Sequence, residues 1–213
     1  MKTEGKPDRQ QAEMFLKRAY EDIEGYIACD RVFLHALHPV KVSETAPDII
    51  REMSGCSEEA DVGPMAGVAG AIAEYIGRGM SLSHRSIFCN NGGDIYYRSP
   101  REESFSLSAP GSPFDNKIRI CVPSSIEGKG LCTSSGTFGH SINMGRAYAV
   151  SILAKSACLA DVWATAVSNR IRSHLDLEHI LEWCAEKECI EGVVILVDDY
   201  LAAWGDIRLT PAE

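Results

Sequence analysis

An aspartate and a threonine four residues apart, Asp161 and Thr165, stand in a run of small and apolar residues from Ser156 to Val167. Ser156 suits an N-cap, because its hydroxyl can accept from a first-turn N–H, and the run after it reads as a helix. The spacing puts carboxylate and hydroxyl on one helix face, with Leu159, Val162, Trp163 and Ala166 turned to the core. A carboxylate in such surroundings must be hydrogen-bonded, ion-paired or bound to a cation. Upstream, Cys132, Thr133, Ser134, Ser135 and Gly136 make a small-residue, hydroxyl-rich turn, with His140 following. Backbone N–H groups around Thr133 to Gly136 could cradle an anion and lower a neighbouring thiol pKa, which makes Cys132 and His140 the candidate catalytic pair. Packing of Cys132 as a small hydrophobe ranks ahead of reactivity. A third polar cluster is Asn90-Asn91-Gly92-Gly93-Asp94. Its glycines mark a hairpin turn, and Asp94 beside exposed backbone could meet a ligand; a plain turn accounts for the glycines equally well.

The elements that must position these groups follow from periodicity. Residues 9–29 carry apolar side chains at helical spacing, and Pro47 fits the first turn of a helix running to about Ser54. The stretch from Asp61 to Gly77 is a second small-residue helix with internal glycines, able to let another backbone or a ligand come close. Short β-prone runs, Ser86 to Cys89 and Asp94 to Tyr97, flank the Asn/Gly turn. Residues 98–116 are rich in Pro, Ser and Gly and read as loop; Lys117 to Pro123 alternates as a strand. Ala147 to Ala154 and Val193 to Val197 read as buried strands, Leu175 to Cys184 as an amphipathic helix, Asp198 to Trp204 as a turn or short helix, and Asp206 to Leu209 as a last strand. Residues 1–8 are expected to be disordered, ahead of a single domain over 9–213.

The chain has 213 residues, 45% hydrophobic and 24% charged, with a formal charge of −9. Such a composition buries a good core, and the negative charge excludes nucleic acid and anionic membrane as standing partners. No apolar run approaches a membrane span, and the N-terminus lacks a signal-peptide core, so a cytoplasmic location is expected. The eight cysteines are scattered without a CxxC pair, which fits free thiols better than zinc or a disulfide scaffold.

Three stretches together resemble one family. Gly63-Pro64-Met65-Ala66-Gly67-Val68-Ala69-Gly70-Ala71, Asn91-Gly92-Gly93-Asp94-Ile95 and the segment from Cys132 to Ser141 look like the UPF0280 (DUF375) group of the ApbE-like superfamily. The resemblance implies an α+β, T-fold-like architecture of two sheet-and-helix halves. It also implies a phosphate-bearing nucleotide ligand, with magnesium and FAD or FMN as candidate cofactors. Ala160-Asp161-Val162-Trp163-Ala164-Thr165 matches the superfamily's metal pattern, so Asp161, Thr165 and the Ala66 carbonyl are the implied metal ligands. An oxygen-only set of that kind suits a hard cation. Asn91, Gly92, Gly93, Asp94, Thr133, Ser134, Ser135 and Gly136 are the implied cofactor-binding residues. The chain departs from the flavin transferases at Gly67-Val68-Ala69, where they carry lysine, glycine and tyrosine, and it lacks their His-x-x-Asp-Pro segment. Sulfur handling in sulfur amino-acid assimilation, with a persulfide on Cys132, is the alternative function, and a non-catalytic binding module is another. A nucleotide or other small molecule is the expected partner, and a homodimer is compatible with the sequence.

Overall fold

The computed structural model describes residues 1–81, 83–136 and 145–212. The chain opens with β1 (Lys2–Thr3), followed by α1 (Arg9–Cys29), α2 (Arg31–His35) and α3 (Asp48–Ala60). A 3-10 turn over Pro64–Gly67 leads directly into α4 (Val68–Ser81). Then come β2 (Ile87–Asn91), β3 (Asp94–Ser99), β4 (Glu103–Leu107), β5 (Ile118–Val122), β6 (Ser125–Ser134) and β7 (Ala149–Ala154). After α5 (Ala157–Ser168) and a 3-10 turn over His174–Asp176 follow α6 (Leu177–Ala185), β8 (Ile190–Val197), β9 (Tyr200–Gly205) and β10 (Arg208–Pro211).

Among the described residues the strands form a seven-stranded antiparallel sheet, ordered β1-β2-β3-β6-β7-β8-β9, and a three-stranded sheet, β10-β5-β4. The protein is therefore α+β. Helices α1, α3, α4 and α5 gather on one face of the large sheet, and the small sheet covers part of the other. The alternation along β7 and β8 shows the division. Val150, Ile152, Val193, Ile195 and Val197 join the helical core, whereas Ala149, Leu153, Val194 and Leu196 join a second core with Leu107, Ile120 and Val122. Both strands are covered on both sides, which is why they read as continuous apolar runs.

Most helices and strands fall where periodicity puts them, and three segments differ. Within the stretch expected to be disordered, Lys2 and Thr3 pair with Phe88 and Ile87 at the edge of the large sheet. Residues 103–107 form a strand within the expected loop: Glu103, Phe105 and Leu107 alternate with two serines and pair with β5. Tyr200 to Gly205 forms β9 rather than a turn or short helix. Val197 pairs with Tyr200 across a two-residue turn whose Asp198 is left-handed, at φ 51°. Helix α3 also runs past Ser54 to Ala60.

Candidate functional site

The site is assembled where α4 and α5 cross on the large sheet. Ser156 caps α5 as its sequence position indicates, its Oγ accepting from the Leu159 N–H at 3.0 Å. The two helices touch through missing side chains. A Cβ on Gly70 would lie 2.2 Å from the Ala157 carbonyl oxygen, and one on Gly67 would lie 2.8 Å from Val162 and 3.0 Å from the Cys158 sulfur. A side chain at position 67 would require Val162 or Cys158 to shift. Ala66 is half-buried in the 3-10 turn that packs on α5, one residue before Gly67.

This closeness puts Asp161 under the first turn of α4. Its Oδ2 accepts from the Gly70 N–H at 2.9 Å, and the Ala69 N–H also reaches the carboxylate. Asp161 is 8% exposed and Thr165 5%. Among the described residues neither makes an ion pair, and the Thr165 hydroxyl makes no hydrogen bond. The carboxyl of Asp161 is pushed well above the usual carboxylate range, first by burial and then by the charge of Asp94, against the opposing pull of the two N–H groups.

Asp94 arrives from the other side. Asn91 pairs with Asp94 across the Gly92-Gly93 turn, whose φ values of 71° and 124° favour glycine at both places. The Asn90 side chain accepts from the Gly93 N–H at 3.0 Å, and Asn91 Nδ2 donates to the Ala69 carbonyl at 3.2 Å, tying the hairpin to the start of α4. Asp94 Oδ1 accepts from the Thr133 N–H at 3.2 Å. Burial lifts the Asp94 carboxyl from 3.8 to about 6, against the lowering effects of Thr133 and the Cys132 thiol.

A cavity of 720 Å³ opens at this end of the sheet. Asn91, Gly92, Gly93, Asp94, Thr133, Ser134, Ser135 and Ala69 line one part, and Ile95, Phe105, Leu107, Ile120 and Leu131 give the remainder apolar walls. Seven of the eight residues expected around a cofactor thus share one cavity. Gly136 is not among them: its N–H is spent on the Ala147 carbonyl at 3.0 Å, and the Gly145 carbonyl stands where its Cβ would be. Asp161 and Thr165 do not line that cavity either. Ala69, whose N–H reaches the Asp161 carboxylate, and Asp94, whose charge acts on it, do line the cavity.

Two sequence expectations are corrected here. The segment from Cys132 to Ser134 is not a turn but the end of β6, paired with β7 through Cys132–Ile152, Thr133–Ser151 and Ser134–Val150. The expected cradle of free N–H groups is therefore not formed, since the Thr133 and Gly136 donors are already used. Cys132 is also not in an electropositive setting. It is fully buried, its thiol donates to the Ala157 carbonyl at 3.2 Å, and burial with the charges of Asp94 and Asp161 pushes its pKa up. That is the reverse of what a persulfide carrier needs. His140 lies outside the described residues.

Sequence inspection missed Glu74. It is buried in α4 at 0% exposure, and its Oε2 accepts from the N–H groups of Ala157 at 2.6 Å and Cys158 at 3.2 Å. The signal was a lone acid in an otherwise apolar helix face, Ala71 to Ile76.

The fold places the chain in a known structural class. The structure superposes on the apo flavinyl transferase ApbE of Pseudomonas stutzeri with a TM-score of 0.56, covering 98% of this chain and 88% of that one at 14% identity. The flavin transferase ApbE of Vibrio cholerae gives 0.58, with 95% and 90% covered at 13% identity. At sequence level, a family model described as "AbpE bacteria" matches residues 1–187. A UPF0280 protein of Methanocaldococcus jannaschii is 38% identical over 92% of this chain and 81% of its own length. Another, from Methanopyrus kandleri, is 37% identical over 86% and 76%. This chain belongs to the UPF0280 family of ApbE-like proteins. No helix among the described residues is long and apolar enough to cross a membrane.

Proposed function

We propose that the protein binds a phosphate-bearing nucleotide together with a hard divalent cation such as magnesium, with a flavin nucleotide as the favoured ligand. The observation that carries this reading is a pair of carboxylates, half-buried Asp94 and buried Asp161: the charge of Asp94 raises the Asp161 pKa, and neither faces a lysine, arginine or histidine partner among the described residues. Uncompensated buried charge is costly, and a cation between the two would relieve it. The donor chemistry fits. Two carboxylates and the Thr165 hydroxyl are hard oxygens, and two hydrogen bonds leave part of Asp161's acceptor capacity open. Among the described residues no three His, Cys, Asp or Glu cluster as a metal cage. Magnesium commonly takes only one or two protein carboxylates and completes its shell with water and phosphate oxygens.

In this reading Asp94 and Asp161 hold the cation and Thr165 supports it. The Gly92-Gly93 turn admits phosphate oxygens close to the backbone, and Phe105, Leu107 and Ile120 offer an apolar wall to a flat ring. A bound magnesium would neutralise phosphate charge and polarise the phosphoryl oxygens. The proposal is confined to binding, because Cys132, one of the two expected catalytic groups, is sealed in the core. Flavin transferase relatives in fold favour FAD or FMN over other nucleotides, and ADP serves as the ring-free comparison for the flavin.

Calorimetric titration of FAD, FMN and ADP, each with and without magnesium, tests the reading. Magnesium-dependent binding is expected, weakened at least tenfold in Asp161→Asn, about 1.4 kcal/mol. Absence of magnesium-dependent binding for all three, or equal affinity in Asp161→Asn, would refute it.

A further inference from the structure

The polar contacts between α4 and α5 are reciprocal. Asp161, in the second turn of α5, accepts from Gly70 and Ala69 at the start of α4. Glu74, in the second turn of α4, accepts from Ala157 and Cys158 at the start of α5. Each helix thus offers a side-chain acceptor to first-turn N–H groups of the other. The carboxylate of each also sits at the positive end of the opposing helix dipole. The other Glu74 oxygen forms an ion pair with Arg78, which also reaches Glu52 on α3 at 3.6 Å. Ala157 is the fixed point. Its N–H is held by Glu74, its carbonyl by the Cys132 thiol, and its backbone fills the space where Gly70 and Gly130 have no Cβ.

We infer that Glu74 is a positioning residue: by gripping the first turn of α5 it sets the register in which Asp161 meets α4 and faces Asp94. It touches neither the cavity nor the cation donors, and acts on them through the α5 backbone. The cation readout of this inference rests on the proposed function, whereas its amide readout does not. The alternative role for Glu74 is plain stabilisation of the fold, which would leave the geometry at Asp161 unchanged in every molecule that remains folded.

Three variants separate the two. Glu74→Ala removes the acceptor, Glu74→Asp keeps the charge and the Arg78 pair but withdraws the oxygens by one methylene, and Glu74→Gln keeps an acceptor of the original length. Backbone amide exchange, read by nuclear magnetic resonance on the full chain, gives the first measurement. Positioning predicts that Gly70 and Ala69 exchange at least tenfold faster in Glu74→Asp, while the sheet amides of β7 and β8 are unchanged, and that Glu74→Gln restores near wild-type protection. The second measurement is affinity for terbium, a luminescent hard cation, expected to fall at least tenfold in Glu74→Ala and Glu74→Asp and to be regained in Glu74→Gln. If Glu74→Ala does not fold, Glu74→Asp carries both measurements. Gly70 protection that is unchanged, or that falls only in step with the sheet amides, overturns the inference. Failure of the wild-type chain to bind terbium or magnesium counts instead against the proposed function, and the amide data still decide the role of Glu74.

Discussion

Replacing Gly70 by alanine tests the helix crossing on which the site depends. In a solvent-facing helix, alanine for glycine is favourable by about 1 kcal/mol. At Gly70 the added Cβ would lie 2.2 Å from the Ala157 carbonyl oxygen, 2.7 Å from its carbon and 2.9 Å from the Asp161 Cβ. The obstacle is backbone, so no rotamer change relieves it, and α5 must move away from α4. Overpacking of a core costs roughly 1–3 kcal/mol, and a backbone contact this short belongs at the upper end. Setting about 3 kcal/mol against the propensity gain leaves a net loss of about 2 kcal/mol, which for a chain this size lowers Tm by roughly 4–8 °C. Urea unfolding followed by circular dichroism measures the loss. Gly55→Ala in α3, where nothing lies within 4 Å of the new methyl, is the control and should be neutral or up to about 1 kcal/mol stabilising. Because the methyl also abuts Asp161, Gly70→Ala should weaken magnesium-dependent nucleotide binding as well. Gly70→Ala that is as stable as wild type, or more stable, would refute the close crossing and with it the placement of Asp161.

Two further outcomes follow from the buried groups. Brief alkylation at neutral pH with peptide mapping should label Cys29, the exposed thiol, first, and should reach Cys132, Cys158 and Cys184 only after unfolding. Early labelling of Cys132 in the folded protein would reopen the sulfur reading. Burial raises the Glu74 carboxyl from 4.5 to about 7, so the folded state holds its proton more tightly than the unfolded chain does. Its contribution to stability is then fully present below about pH 4.5 and is lost as pH rises through 7, by on the order of 3 kcal/mol. The stability difference between wild type and Glu74→Gln should shift by that amount, in favour of the glutamine variant as pH rises; a flat difference would show that Arg78 fully compensates the charge.

The local elements of the site were legible in the sequence because their signals are local. Ser156 lies where a cap must, Asp161 and Thr165 are one helical turn apart, and two consecutive glycines before Asp94 announce a tight hairpin. Periodicity likewise gave α1, β5, β7 and β8. The sequence misled at two strands, serine-rich β4 and β9 with Ala202, Ala203 and Gly205, whose form owes more to pairing with β5 and β8 than to the propensity of those residues.

What only the tertiary structure decided is the company each side chain keeps. Cys132 looks like a thiol beside a donor-rich turn, yet pairing of β6 with β7 turns it into the core and gives its hydrogen to Ala157. Gly136 looks like part of an anion cradle, yet its N–H goes to Ala147. Asp94 and Asp161 are 67 residues apart in the chain, and nothing local marks them as neighbours close enough for the charge of Asp94 to raise the Asp161 pKa. Glu74 and Asp161 reveal their shared purpose only when two helices without bulky side chains cross closely enough for each to reach the other's first turn. The sequence carries the capacity for that approach in Gly67, Gly70 and Ala157, but which backbones meet there is set by long-range packing on the sheet.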